Sequence, residues 1–390
     1  MESNNPINPL NPVEMNISTV VQKTLDSISE KIKNLNKLNI IVAGKTGTGK
    51  STLINAVFRD KLATTGIGKP VTDHLRRLTK EDVPLAIYDT RGFELGKEVQ
   101  MQVKEEIVST IKEGLLGNDI NKVIHCIWYC INTASNRIEP KEIEWIRELS
   151  REDSVAKVPI IIVLTQSISK KNADQMRQML LDENLGVVQI IPVLAEDYVI
   201  NEEYTVKSFG LDTLIKVMGE ALPDELKDTL QNVQIACLAE KKKRAQKIVL
   251  AAAAAATGEG AAPIPFADCI VLIPTQIAMI ANITAIFGLP VNKSVITAIV
   301  SSTVGSGGAT VLGKIVVANL AKLIPGAGTV VGGAISAGTA GLITVALGEA
   351  YIGVMTLVFN GEMSMDDISS EKGKNLIKDL FKQSLKKNKK

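Results

Sequence analysis

Histidine is nearly absent from the 390 residues, with only His74 and His125. Cysteine is almost as scarce: Cys126, Cys130, Cys237 and Cys269 form no CxxC pair and have no histidine cluster beside them. These shortages exclude a Cys/His zinc centre and a disulfide scaffold, suit a reducing compartment, and leave no Ser/His/Asp or Cys/His nucleophile set. Neither sign of charge is in excess, because 44 Lys and Arg face 42 Asp and Glu for a net of +2. A chain so balanced has no overall electrostatic footprint for nucleic acid, and no nucleic-acid partner is expected. The opening MESNNPINPLNP has neither the basic n-region nor the apolar h-region of a secretory signal and reads as a disordered leader over residues 1–14.

Charge is missing most conspicuously from residues 248–361, which hold only Glu259, Asp268, Lys293, Lys314, Lys322 and Glu349. The chain therefore has two unlike parts, and its length already asks for two cores. Helical spacing of apolar residues over 15–37 predicts an amphipathic helix that packs on the domain following it. Over 38–223 short apolar runs at 39–43, 85–88, 123–131, 159–164 and 187–193 read as strands. Helical patterns at 50–58, 97–115, 140–150, 172–183 and 211–221 alternate with them. The near-continuous apolar strands suit a mostly parallel sheet covered on both faces, an α/β three-layer domain. His125 falls in one of these strands as a core or strand-edge residue, and His74, which follows the candidate switch, could face solvent.

The strongest local signal is Gly44-Lys45-Thr46-Gly47-Thr48-Gly49-Lys50-Ser51, a G-x-x-x-x-G-K-[ST] pattern between the strand at 39–43 and a helix beginning at Lys50 and Ser51 and running through Thr52. Glycines let successive N–H groups face a phosphate chain, and the helix N-terminus adds its positive dipole end. Lys50 is expected to reach the β- and γ-phosphates as a point charge, and the Ser51 hydroxyl to ligate Mg²⁺. Asp89-Thr90-Arg91-Gly92 is a DxxG at a strand end, where Asp89 can hold Mg²⁺ through water and the Gly92 N–H can meet the γ-phosphate. Between the two, residues 66–72 read as a flexible loop ending in Thr72, either a switch hydroxyl that closes on Mg²⁺ with the γ-phosphate or an ordinary loop threonine.

These motifs, in this order, resemble the G domain of Era-like and AIG1/Toc-like P-loop GTPases of the TRAFAC class, whose phosphate loop is often GKTGxGKS. The resemblance covers about half of the chain. It implies GTP and GDP as ligands, Mg²⁺ as cofactor, slow GTP hydrolysis, two nucleotide-reporting switch loops and a possible homodimer through the G domain. The base-recognition segment departs from the family pattern: where N/T-K-x-D is usual, Thr165-Gln166-Ser167-Ile168 stands, without the carboxylate that accepts from guanine. The resemblance leaves Thr165 and Gln166 to pack on the base, and Ala195 of Leu194-Ala195-Glu196 to stand in the loop that offers a backbone N–H to guanine O6. Preference for GTP over ATP rests on the resemblance alone, and an ATP-binding P-loop protein stays open. Phe93 follows Gly92 where many signalling GTPases place a water-orienting glutamine, so turnover should be low. Arg91 is either a cation for the transferring phosphoryl group or a surface ion-pair partner, and Arg137 is a weaker candidate.

Residues 228–361 read as an Ala/Gly-rich helical domain, with one long helix expected from Asp228 through the Ala251–Ala256 run. Its uncharged stretches of 24, 20 and 26 residues reach the roughly 20 needed to cross a bilayer, but they carry prolines, serines and glycines. Lys241–Arg244 with Lys247 before this region, and a basic amphipathic tail over 362–390, supply cations for anionic headgroups. Pro263-Ile264-Pro265-Phe266-Ala267-Asp268 resembles the opening of a bacterial helical domain of unknown function that recurs behind Era-like GTPases and is associated with inner membranes. Membrane lipid is therefore an expected partner, and the cytoplasmic face of a membrane the expected location, with the cytoplasm as the alternative. A nucleotide-gated interaction or pore-forming module with little turnover remains a competing reading.

Overall fold

The computed structural model describes residues 17–59, 63, 67–90, 97–117, 119–135, 137–258, 264–265, 272–304, 334–335 and 337–388. The leader, Arg91, Gly92 and most of the Pro263–Asp268 segment lie outside these residues. The chain divides into two compact units, Leu35–Glu240 and the pair Met1–Asn34 with Lys241–Lys390.

The first unit is built on a seven-stranded sheet in the order β2-β3-β4-β1-β5-β6-β7. Its strands are β1 (Leu38–Ala43), β2 (Ile67–Pro70), β3 (Leu75–Thr79), β4 (Leu85–Thr90), β5 (Cys126–Asn132), β6 (Ile160–Thr165) and β7 (Gln189–Pro192). Strands β4, β1, β5, β6 and β7 run parallel, while β2 and β3 extend the sheet antiparallel. The period of two along β1 sends Leu38, Ile40 and Val42 into one core and Ile41 and Ala43 into the other. The first core is closed by α2 (Lys50–Val57), α6 (Leu211–Ala221) and α7 (Asp224–Val233), through residues such as Leu53, Ile54, Leu214, Ile215, Leu226 and Leu230. The second is closed by α3 (Lys97–Leu115), α4 (Pro140–Arg151) and α5 (Lys170–Asp182), through Ile107, Trp145, Ile146 and Leu180 among others. Burial on both faces explains why the parallel strands read as unbroken apolar runs.

Three expectations need correction here. Residues 67–70, expected in a flexible loop, form strand β2, paired with β3 from Ile67↔Thr79 to Pro70↔Arg76. The polar alternation Leu75-Arg76-Arg77-Leu78 marks a half-exposed strand that an apolar-run criterion passes over. The long helix expected from Asp228 is two helices, α7 and α8 (Leu238–Gly258). Between them Gln234 is extended (φ −82°, ψ 148°), bridges to Phe58, and its side chain meets both the N–H and the carbonyl of Cys237. The N-terminal helix α1 (Ile17–Lys33), expected to pack on the domain that follows it, belongs to the other unit, where it packs on α9 (Leu272–Phe287) and α10 (Lys293–Val304).

The second unit is helical. Besides α1, α8, α9 and α10 it contains α11 (Ala337–Phe359), α12 (Met365–Ile368) and α13 (Glu371–Asn388). Small residues of α11 allow close approach of α8: a Cβ at Gly348 would stand 2.4 Å from Val249 Cγ2, and one at Gly341 2.6 Å from Thr257 Cγ2. Gly348→Ala is expected to cost about 1–3 kcal/mol by overpacking, read as a lower urea midpoint in a full-chain unfolding curve. Lys241, expected in an exposed basic cluster, is fully buried. Its ammonium donates to the carbonyls of Ile286 (2.9 Å) and Phe287 (3.1 Å) at the end of α9 and sits 5.5 Å from the Phe359 ring centroid. A lysine that satisfies the last carbonyls of a helix and opposes its dipole is a capping group, so the cationic surface of this segment is smaller than the sequence suggests. The tail helix α13 uses its apolar face, with Ile377, Phe381 and Leu385 buried, against α11 and α10. Ser384 and Asn388 of the tail donate to Glu349 of α11. Among the described residues one helix is long and apolar enough to cross a membrane, Ala340–Phe359, with a mean hydropathy of 1.9 and 56% of that window buried within the protein.

Candidate nucleotide-binding site

The site grows from the end of β1. Strand β1 lies between β4 and β5, with Val42 paired to Asp89 and Ala43 to Tyr129, so residues 44–49 leave the sheet beside the carboxylate of Asp89. Gly44 turns sharply there (φ 143°), and a Cβ on it would lie 2.4 Å from the carbonyl oxygen of Cys130. No other residue fits so close to the neighbouring strand. Gly49, in the left-handed region, is the N-cap of α2 (φ 79°). Lys50 folds back under the loop, its ammonium donating to the carbonyls of Gly44 (2.8 Å) and Lys45 (3.0 Å). Thr48 closes the curl by donating its hydroxyl to the Lys45 carbonyl at 2.8 Å. Thr46 and Gly47 are exposed at the rim, as are Ser51 and Thr52 at the start of α2.

Opposite charges lie close together at the base of the loop. Burial lowers the Lys50 pKa, while the charges of Asp89 and Cys130 oppose that shift. Burial raises the Asp89 pKa against the opposing charges of Lys50 and Arg76. Asp89 Oδ1 is buried and meets no hydrogen-bond partner among the described residues. A buried carboxylate oxygen left without a donor is costly, and a cation or its bound water would supply what is missing. With the Ser51 hydroxyl the donors are hard oxygens, the chemistry that suits Mg²⁺. The residues present therefore fit a metal-bound triphosphate. Burial pushes the Cys130 thiol up to about 12, and the carbonyl of the same residue walls the loop at Gly44.

Thr72 lies in the turn between β2 and β3, at the end of β3 where Leu75 pairs with Thr90 and Arg76 with Asp89. Its hydroxyl donates to Glu106 of α3, which also accepts from the His74 N–H (3.1 Å) and meets His74 Nδ1 at 2.9 Å. His74 is thus part-buried and hydrogen-bonded to Glu106, not turned to solvent. Burial would raise the Glu106 pKa, but the hydrogen bonds from Thr72 and His74 outweigh it and hold the carboxyl below its usual value.

Thr165 and Gln166 reach the loop from behind. The buried Thr165 hydroxyl lies 2.5 Å from the Thr48 carbonyl and 3.1 Å from that of Ile131, and Gln166 Nε2 donates to the Gly47 carbonyl at 3.1 Å. Thr133 in turn donates to the carbonyls of Thr165 and Gln166. In this geometry the pair braces the phosphate loop. Ala195 follows Leu194, whose bridge to Phe209 fixes that loop, and its side chain packs against the core. Arg137 is exposed.

Sequence reading missed Glu106, which belongs to no motif, and the anchor of Lys45. That side chain pairs with the buried Glu142 of α4 at 2.7 Å and with Glu139 at 3.6 Å, and Tyr129 donates to Glu142 at 3.1 Å. A lysine at the second position of a phosphate loop reads as exposed when its partner lies a hundred residues away.

His125 holds the other end of β1. Its Nδ1 accepts from the Asn39 N–H at 3.0 Å, and burial lowers its pKa to about 4. A histidine kept neutral in the fold contributes stability that is complete above about pH 6.5 and is lost as pH falls toward 4. The stability advantage of the wild type over His125→Gln is expected to shrink by about 2 kcal/mol between pH 7 and 5, read from urea unfolding at the two values.

Residues 39–166 match the family model described as 50S ribosome-binding GTPase, and residues 225–390 match a domain of unknown function (DUF697). Septin-12 of Homo sapiens is 24% identical over 49% of this chain and 60% of its own length. Cell division control protein 10 of Candida albicans is 24% identical over 50% of this chain and 64% of its own. The chain thus spans less than two thirds of each. A crystal structure of Toc33 from Arabidopsis thaliana, a dimerization-deficient mutant, aligns at a TM-score of 0.32 and 14% identity, over 56% of this chain and 95% of that one. Sequence and fold together give a P-loop GTPase domain followed by a helical C-terminal region.

Proposed function

We propose that the protein is a Mg²⁺-dependent GTPase switch of low intrinsic turnover, of the Era-like kind, whose nucleotide state governs a helical domain working at the cytoplasmic face of a membrane. The observation that carries the first part is the buried, unpartnered Asp89 Oδ1 beside a left-handed glycine loop closed over the Lys50 ammonium. When bound, Mg²⁺ neutralises developing charge on the phosphates. The chain's own contributions follow from its residues. Main-chain N–H groups from Gly44 to Ser51 cradle the phosphates, and Lys50 exchanges its two carbonyls for phosphate oxygens. Ser51 and Asp89 would hold the metal, Asp89 through water, and Thr72 would join them in the triphosphate state. The Gly92 N–H and Arg91 are assigned to the γ-phosphate. Phe93, where a water-orienting glutamine is common, has no polar group to orient the attacking water, so hydrolysis should be slow alone and need help from the switch backbone, from Arg91 or from a second protomer.

Guanine preference rests on the GTPase descriptions of the matched family, since no carboxylate follows Thr165 and Gln166; the Ala195 N–H is the proposed contact to the base. Membrane contact rests on the apolar helix α11 and on the lysines left exposed at the flanks, Lys243, Lys247, Lys386 and Lys387. Titration of the full chain with fluorescent GTP and ATP analogues plus Mg²⁺ tests the nucleotide: tighter GTP binding is expected, and equal affinities remove the guanine assignment. Flotation with phosphatidylserine-containing vesicles, with and without a non-hydrolysable GTP analogue, tests the surface. Protein left at the bottom of both gradients counts against membrane association.

A further inference from the structure

The Thr72 hydroxyl is engaged on both sides. It donates to Glu106 Oε2 and accepts from the Leu75 N–H at 3.1 Å. The same carboxylate takes the His74 N–H on Oε2 and faces His74 Nδ1 with Oε1. Glu106 stands on α3, the helix that follows the DxxG segment, so one carboxylate gathers three donors from the turn before β3. All three are charge-assisted, the stronger class of hydrogen bond, and the Glu106 side chain is only 18% exposed.

A threonine hydroxyl that donates to a carboxylate can keep that bond or present its lone pairs to a metal in the place the switch requires. The arrangement therefore sets two destinations for Thr72 against each other. Resting on the assignment of Thr72 as the switch ligand, we infer that Glu106 is a positioning residue that holds Thr72 in reserve, so that the γ-phosphate and its metal must compete with the Glu106 carboxylate before the site closes. The diphosphate, which does not recruit Thr72, leaves the latch shut. The latch also ties the two switch segments together, because its donors lie on the turn between β2 and β3 and its acceptor on the helix after β4. Release of Thr72 removes one of the three bonds and leaves the two to His74 as the remaining tie between α3 and the turn. The latch thus lowers triphosphate affinity selectively and sets the threshold at which the switch turns on.

The test is a double-mutant cycle on the full chain, with affinities for a non-hydrolysable GTP analogue and for GDP measured by calorimetry with Mg²⁺. Glu106→Gln keeps the shape and removes the charge; Glu106→Ala removes the acceptor. Both are expected to tighten the analogue roughly ten-fold, the scale of one charge-assisted hydrogen bond, and to leave GDP unchanged. In a Thr72→Ala background the same substitutions should have no selective effect. Equal shifts for both nucleotides, a selective shift that persists without the Thr72 hydroxyl, or no shift at all overturns the latch. A fold requirement alone would lower the melting temperature and weaken both nucleotides together. Failure of the wild type to bind either nucleotide would be a different result, removing the GTPase reading itself.

Discussion

Replacing Lys50 by alanine is expected to weaken Mg²⁺-dependent GTP binding about a hundred-fold and to stop phosphate release, the scale on which a single preorganised charge acts on a phosphoryl group. The reason lies in where the ammonium already is. It rests on the Gly44 and Lys45 carbonyls at 2.8 and 3.0 Å, inside the curl of the loop, and Lys50 is only 8% exposed. Truncation removes the cation that the loop already holds at its centre, the group expected to meet the phosphate oxygens. Binding followed by the fluorescence of a labelled nucleotide and release followed by a phosphate sensor read the two effects separately. Unchanged affinity would mean that the nucleotide lies elsewhere. A parallel urea curve is needed, because the two carbonyls lose their donor in the variant.

The second large effect belongs to Gly44. An alanine there must adopt φ near 143° and place its Cβ 2.4 Å from the Cys130 carbonyl oxygen. The backbone strain and the overlap with a neighbouring strand together cost about 3 kcal/mol, and β5 cannot yield because it is paired on both sides. Gly44→Ala is expected to lower the urea midpoint and to abolish nucleotide binding, since the loop departs from its strand at a different angle. Gly47→Ala is the control. At φ 75° it carries strain, but a Cβ there meets nothing within 4 Å, so its cost is about 1–2 kcal/mol and binding should survive. Equal behaviour of the two variants would mean that close approach to β5 does not set the path of the loop.

Much of the G domain was legible because its determinants are contiguous. The parallel strands announce themselves as apolar runs, and the phosphate loop as eight consecutive residues between a strand and a helix. Asp89 was legible from DxxG at a strand end, and pairing with β1 puts it beside the loop. Strands β2 and β3 were not, because the antiparallel extension carries Arg76 and Arg77 where an apolar pattern was sought. The helical half was read least well. Lys241 belongs by sequence to a run of four cations, yet it alone is buried, since only the fold brings the end of α9 to it. The amphipathic face of α1 correctly implied a partner, but amphipathicity says that a face must be covered and not by what.

By itself, then, the order of residues determined that a phosphate-binding loop opens an α/β domain and that an uncharged helical part follows. Both statements depend on neighbours along the chain, where periodicity, glycine placement and hydroxyl spacing act within a few residues. Tertiary structure alone decided that Glu106 holds Thr72, that Glu142 anchors Lys45, that α1 joins the helices of the second unit and that the tail helix covers α11. Each of these joins residues tens to hundreds of positions apart. Such pairings are chosen by which buried polar groups can find donors and which apolar faces can be closed, and those questions have no answer until the chain is folded.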